Sequence, residues 1–162
     1  VSMMDVLLEM EMGDFQRFRP KVVFLHGQIT DLALAVGNYH IFNLFARRMR
    51  ERYGVEPGLA TYNFGTLVPR LQEWQIDINT FYTPFHPSGF LMYPSAETCE
   101  ALCRDYSLTV ISELISPDGI VDDQVFQYLH QHGIQAASID VVQPEDMATI
   151  STYYKTQYEQ RS

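Results

Sequence analysis

The sequence predicts a parallel α/β protein of repeated strand-then-helix units. Short runs of β-branched and apolar residues alternate along the chain with longer segments whose apolar residues recur at intervals of three and four. Each short run is nearly continuous in apolar character. Polar residues gather just past its C-terminal end, as in parallel strands covered by helices.

Residues 21–26 (KVVFLH) form the first expected strand, bounded by Pro20 and Gly27. Residues 38–53 follow as an amphipathic helix with Phe42, Phe45 and Met49 on one face, ending at Gly54. Arg47, Arg48, Arg50 and Arg52 near its end complement the negative pole of the helix dipole. The second strand is expected at 58–62 and its helix at 66–75, where Leu67, Leu71 and Trp74 align. The third strand is expected at 78–83. Residues 84–94 (PFHPSGFLMYP) hold three of the eight prolines and read as a loop, either a lid over a ligand pocket or a patch buried against another chain. Ser95 caps the next helix, in which Cys99, Leu102, Cys103 and Tyr106 keep the i, i+3, i+4, i+7 pattern. The fourth strand is expected at 108–114, and Ser116-Pro117-Asp118-Gly119 leads to a helix capped by Asp122 and stopped at Gly133. The fifth strand is expected at 135–142, and Pro144 opens a closing helix with Met147, Ile150, Tyr154 and Tyr158 on its apolar face.

With 162 residues, 46% of them hydrophobic, the chain can build one core of ordinary size, so residues 1–162 are read as a single domain. Residues 1–20 form an N-terminal helix or extension, and five β-α units fill 21–162. Twenty acidic residues against eleven basic ones give a net charge of -9, which disfavours nucleic acid and anionic membranes as partners. The apolar runs fall far short of the roughly 18 to 20 residues that span a bilayer. The start, VSMMDVLLEMEMGDF, lacks the basic region of a secretory signal, so the cytoplasm is the expected compartment. Cys99 and Cys103, four residues apart on one helix face, suit a buried apolar stripe better than a disulfide.

Two architectures fit five such units: part of a closed (β/α) barrel, or an open flavodoxin-like sheet. The G-x-G-x-x-G turn of a dinucleotide-binding open sheet is missing, since Gly27 is followed by Gln28-Ile29-Thr30-Asp31.

The order of local motifs carries more. Phe24-Leu25-His26, Tyr62-Asn63-Phe64, Ile78-Asn79-Thr80, Val110-Ile111-Ser112, and Ile139-Asp140 followed by Gln143-Pro144-Glu145 succeed one another at barrel spacing. This series is similar to strands four to eight of the aldo-keto reductase barrel and its aldolase-type relatives, over about residues 21–156. The resemblance implies that His26 matches the histidine that polarises the substrate carbonyl, and Asn63 the side chain that hydrogen-bonds the nicotinamide carboxamide of NADPH. The family's catalytic tyrosine, lysine and aspartate lie on earlier strands, which residues 1–20 are too few to supply. Where the family places a Lys/Arg cluster for the cofactor's 2′-phosphate, this chain has the acidic Gln143-Pro144-Glu145-Asp146. The expectation is therefore a barrel portion that needs its missing units, not an independently competent NADPH reductase.

Parallel strands gather the residues past their C-terminal ends on one rim: His26, Gln28, Asp31, Asn63, His86, Glu113, Asp118 and Asp140. His26 and Glu113 are the candidate catalytic residues and Asn63 the candidate cofactor-binding one; no close-spaced metal-ligand motif occurs. Glu113 interrupts an apolar strand, where a carboxylate is either rim-exposed, paired with a cation, or functional. His86 is a loop residue with a local hydrogen bond in the bland reading, and His40, His130 and His132 are expected on solvated helix faces. A partial barrel leaves sheet edges open, so a homo-oligomer or a complementing chain is expected, with a small-molecule ligand at the rim. Two rival readings remain: a non-enzymatic interaction module, and a metal-assisted lyase or isomerase using His26, Glu113 and Asp140.

Overall fold

The computed structural model describes Glu9, Met12, Gly13, residues 16–114, 122–134 and 136–140, and Ser151. Five strands form one sheet: β1 (Val22–Leu25), β2 (Glu56–Ala60), β3 (Thr80–Pro84), β4 (Thr109–Leu114) and β5 (Ala136–Ile139). Every neighbouring pair is parallel and the order is β1-β2-β3-β4-β5. The connections carry helices α1 (Gly27–Ala35), α2 (Tyr39–Arg48), α3 (Phe64–Glu73), α4 (Ala96–Asp105) and α5 (Asp123–Gln131). The parallel α/β class expected from the alternation is the one observed.

Each crossover steps one strand in the same direction. Right-handed crossovers that never reverse put their helices on one face, as in an arc of a barrel. A flavodoxin sheet, ordered 2-1-3-4-5, reverses beside its first strand. Among the described strands no such reversal occurs.

The register sorts side chains onto two faces. Leu25, Leu59, Phe81 and Val110 lie in one row and are all buried; Thr83 and Ser112 repeat the pattern two residues on, as does Leu114 beyond them. This face packs against Phe42, Phe45, Leu67, Leu71, Cys99, Leu102, Val125 and Leu129 of the helices in one core. The opposite face carries Val22, Phe24, Ala60, Thr80, Tyr82, Ile111 and Glu113, each only partly buried. Its rings of Phe24 and Tyr82 meet across β2 at 5.9 Å. Gly58 makes that approach possible, because a Cβ there would sit 2.5 Å from the Phe24 ring.

Several boundaries shift from the sequence expectation, for physical reasons. Residues 27–35 form α1, which the sequence reading passed over; His26 starts it as N-cap, a role its imidazole fills in place of the usual Ser, Thr, Asp or Asn. Strand β2 has Pro57 as its second residue and β3 ends on Pro84. Pro57 precedes the point where β3 joins the ladder and Pro84 ends its strand, so neither removes a bond from a two-sided ladder. Asp122 caps α5 through Gln124 N–H and Val125 N–H at 3.0 and 3.2 Å, and Ser95 caps α4 through Thr98 N–H at 3.3 Å. Tyr106, expected on the apolar stripe of α4, falls just past its end and is exposed. His132, expected to be solvated, packs half-buried against the rings of Tyr128 and Phe85 at 4.6 and 5.8 Å.

The loop after β3 is packed against its own chain. Phe85 and Met92 are buried, the His86 N–H donates to Met92 Sδ at 3.4 Å, and the Gly65 N–H donates to the Tyr93 carbonyl at 3.0 Å. Phe90 and Tyr93 remain exposed. The closing helix from Pro144 and the Ser116–Gly119 turn with Asp118 lie outside the described residues. Among the described residues no helix is long and apolar enough to cross a membrane.

Candidate functional site

Residues past the C-terminal ends of the strands assemble a polar network in three steps. Thr61 extends β2 by one rung, its N–H donating to the Tyr82 carbonyl at 3.0 Å. Its hydroxyl donates to Asp31 Oδ1 at 2.5 Å, and the Tyr62 N–H donates to Asp31 Oδ2 at 3.2 Å. The Asn63 N–H then donates to Thr61 Oγ1 at 2.9 Å. One carboxylate on α1 thus holds the turn that leads from β2 into α3.

That turn aims Tyr62 along the partly buried face of the sheet. Ala60 pairs with Tyr82 and Pro84 with Glu113, so Tyr62, two residues past Ala60, belongs to the row of Pro84 and Glu113. Tyr62 and Glu113 lie near enough for each to act on the proton affinity of the other. Burial raises the Glu113 pKa above the usual carboxylate range; the Tyr62 hydrogen bond opposes this, and the nearby Asp140 carboxylate adds to it. Burial also raises the Tyr62 phenol, reinforced by Glu113, Tyr82 and Asp31. Of the groups that bear on Glu113, the Tyr62 phenol favours its charged form and the Asp140 carboxylate its neutral form. A carboxyl held this way can give up or take a proton near a bound ligand.

His26 is exposed. Its Nδ1 accepts the Gln28 N–H at 3.3 Å, and its carbonyl accepts from Ile29 N–H and Thr30 N–H at 3.0 Å each. Accepting at Nδ1 leaves Nε2 as the proton-bearing nitrogen and hence the ring's donor. Asn63 is the N-cap of α3 by its backbone, and its side chain makes no cap bond. His86 is buried and its Nδ1 accepts the Ser88 N–H at 3.1 Å, the local loop bond of the bland reading. The rim therefore joins Asp31, Thr61, Tyr62, Glu113 and Asp140, while the bonds of His26 stay within the first turn of α1.

Tyr62 is the residue that sequence reading did not place at the site. The available signal was pleat alternation: Ala60 and Tyr62 share a face with Glu113 once the strand is extended past Ala60. Among the described residues no three His, Cys, Asp or Glu side chains converge closely enough to hold a metal ion.

The rim is acidic, and every described Arg and Lys lies elsewhere. Arg47, Arg48, Arg50, Arg52, Arg70 and Arg104 fall in the latter halves of helices or the turn that follows, and Arg17, Arg19 and Lys21 precede β1. These are the positions at the N-terminal ends of the strands. A dinucleotide carrying pyrophosphate and 2′-phosphate would meet carboxylates at this rim instead of the guanidinium and ammonium groups it needs. The described residues do not fit NADPH, the cofactor implied by the resemblance.

No family model matches the chain, and comparison with curated proteins and with solved structures likewise finds no match.

Proposed function

We propose that the chain is a portion of an aldo-keto-reductase-like or aldolase-type barrel whose rim serves proton transfer on a small neutral or cationic ligand. The observation that supports this reading is the gathering of Tyr62, Glu113 and Asp140 at the C-terminal rim of a consecutive parallel sheet, where burial favours the neutral carboxyl of Glu113. In it, Glu113 is the general acid or base, Tyr62 sets its proton affinity, and the Nε2 of His26 polarises a carbonyl oxygen. Asn63 contributes its uncommitted carboxamide as a polar contact to the ligand. Hydride transfer is not assigned, because the family's tyrosine, lysine and aspartate belong to strands earlier than β1 and the acidic rim opposes a nucleotide.

The test is amide NMR of the chain titrated with small hydroxy-ketones and, separately, with NADPH. Shifts clustered at His26, Tyr62, Asn63 and Glu113 with the small ligands, abolished in Glu113→Gln, support the reading. Shifts scattered elsewhere, or a saturable NADPH response at the rim, overturn it. The metal-assisted alternative has less support, since the described carboxylates and histidines do not converge. The interaction-module alternative draws on Phe24, Tyr82 and Ile111, which are partly exposed on the face opposite the core.

A further inference from the structure

We propose that Ser88 is a base-activated nucleophile that takes an acyl group from a small carboxylic ester, with His86 as its general base. The pair lies in the loop that leaves β3, past the C-terminal end of that strand. It uses none of the groups assigned to proton transfer above, so the two readings stand or fall separately.

The Ser88 Oγ lies 2.7 Å from His86 Nδ1. The Ser88 backbone N–H donates to the same Nδ1 at 3.1 Å, so this nitrogen offers a lone pair and carries no proton. The hydroxyl is therefore the donor of the shorter contact, and its proton already points at a base. Ser88 is exposed whereas His86 is only 8% exposed, which sets a reachable oxygen against a base held in place. The backbone of His86 is pinned on both sides of its ring: its N–H donates to Met92 Sδ at 3.4 Å, and its carbonyl accepts the Gly89 N–H at 2.8 Å. The Phe90 N–H donates to Ser88 Oγ at 3.3 Å, and a donor there steadies the negative charge that grows on the oxygen as its proton leaves.

The step balances without any other reagent. Attack by Oγ on the ester carbonyl carbon forms the Oγ–C bond while the hydroxyl proton passes to Nδ1. Collapse of the tetrahedral adduct breaks the bond from that carbon to the leaving oxygen, which takes the proton from Nδ1. The products are an acyl ester on Ser88 and a free alcohol or phenol, with the neutral imidazole restored. The exposed rings of Phe90 and Tyr93 in the same loop suit an ester with an aryl group.

The probe is para-nitrophenyl acetate added to the full chain, followed by nitrophenolate release and by mass spectrometry of the digested protein. Acetyl is expected on Ser88 in the folded wild type and on no residue 88 in Ser88→Ala. His86→Asn is the deciding variant. Its side-chain oxygen can stand as an acceptor for the Ser88 donors, but an amide does not take up the proton. The rate of acetylation at Ser88 should fall roughly 100-fold or more in it, the scale of general-base assistance. Equal rates at Ser88 in wild type and folded His86→Asn overturn the proposal, as does label on lysines and tyrosines with none on Ser88. Should His86→Asn fail to fold, wild type in urea decides. Acetylation of Ser88 that is lost on unfolding, while the lysines still react, supports the pair; acetylation that continues at the folded rate overturns it.

Discussion

A carboxyl on the half-buried face of a sheet favours its neutral form, and Glu113 carries that preference into the stability of the protein. Its pKa is raised in the fold, first by burial and then by Asp140. Between the ordinary glutamate pKa and this raised value the folded state holds more protons than the unfolded one, so stability falls as pH rises through that window. Glu113→Gln removes the dependence; denaturant melts compared at pH 4 and pH 7 should show a smaller loss in the variant than in the wild type. The two thiols obey the same rule at higher pH. Burial pushes Cys99 up to about 11 and Cys103 up to about 12. Both should resist alkylation in the native protein at neutral pH and react on unfolding, because the thiolate is the nucleophile. The sequence had already pointed to this stripe through the spacing of the two cysteines. It pointed to Glu113 through a charge in an apolar strand, but Tyr62 became visible only with the register, since pleat alternation gives the faces of one strand and not which residues of a neighbouring strand share them.

Helix starts were the most legible elements, and two of them test the packing that follows. Ser95 and Asp122 were readable as caps because a short polar oxygen before an apolar repeat has one obvious use, the free N–H groups of the first turn. The His26 cap was not readable, as imidazole is a rare substitute, and with it went α1. Gly65, in the first turn of α3, has a reason that the sequence hides altogether. A Cβ there would lie 2.5 Å from Pro94 Cδ and 2.9 Å from the Tyr93 carbonyl oxygen, whose bond to the Gly65 N–H docks the loop after β3 onto the helix. Gly65→Ala therefore meets backbone that cannot swing aside. We expect a loss of about 1–3 kcal/mol, typical of overpacking, read as a lower denaturant midpoint with an unchanged slope. Loop compositions alone give no hint of such a contact, which is why residues 84–94 could be read as a lid or as a patch.

At the scale of the whole molecule, one face of the sheet packs against the helices of the core, and the other carries the partly buried Phe24, Tyr82, Ile111 and Glu113. β1 pairs with β2 on one side, and among the described residues no strand lies on its other side. Ile29 and Leu32 of α1 and Val36 at its C-terminal cap fall at i, i+3 and i+7, exposed by 42%, 66% and 68%. An unpaired strand edge and an exposed apolar helix stripe each favour association. The oligomer or complementing chain expected from the sequence can be tested at these side chains. Sedimentation velocity at micromolar concentration should give a species larger than the monomer, or a monomer that joins a complementing chain. Leu32→Glu with Val36→Glu should return it to a monomer while far-ultraviolet circular dichroism stays unchanged, because neither side chain belongs to the core. A compact wild-type monomer, stable across the concentration range and indifferent to those two charges, would mean that the arc is self-sufficient and that the missing-unit reading of its ancestry has no physical consequence.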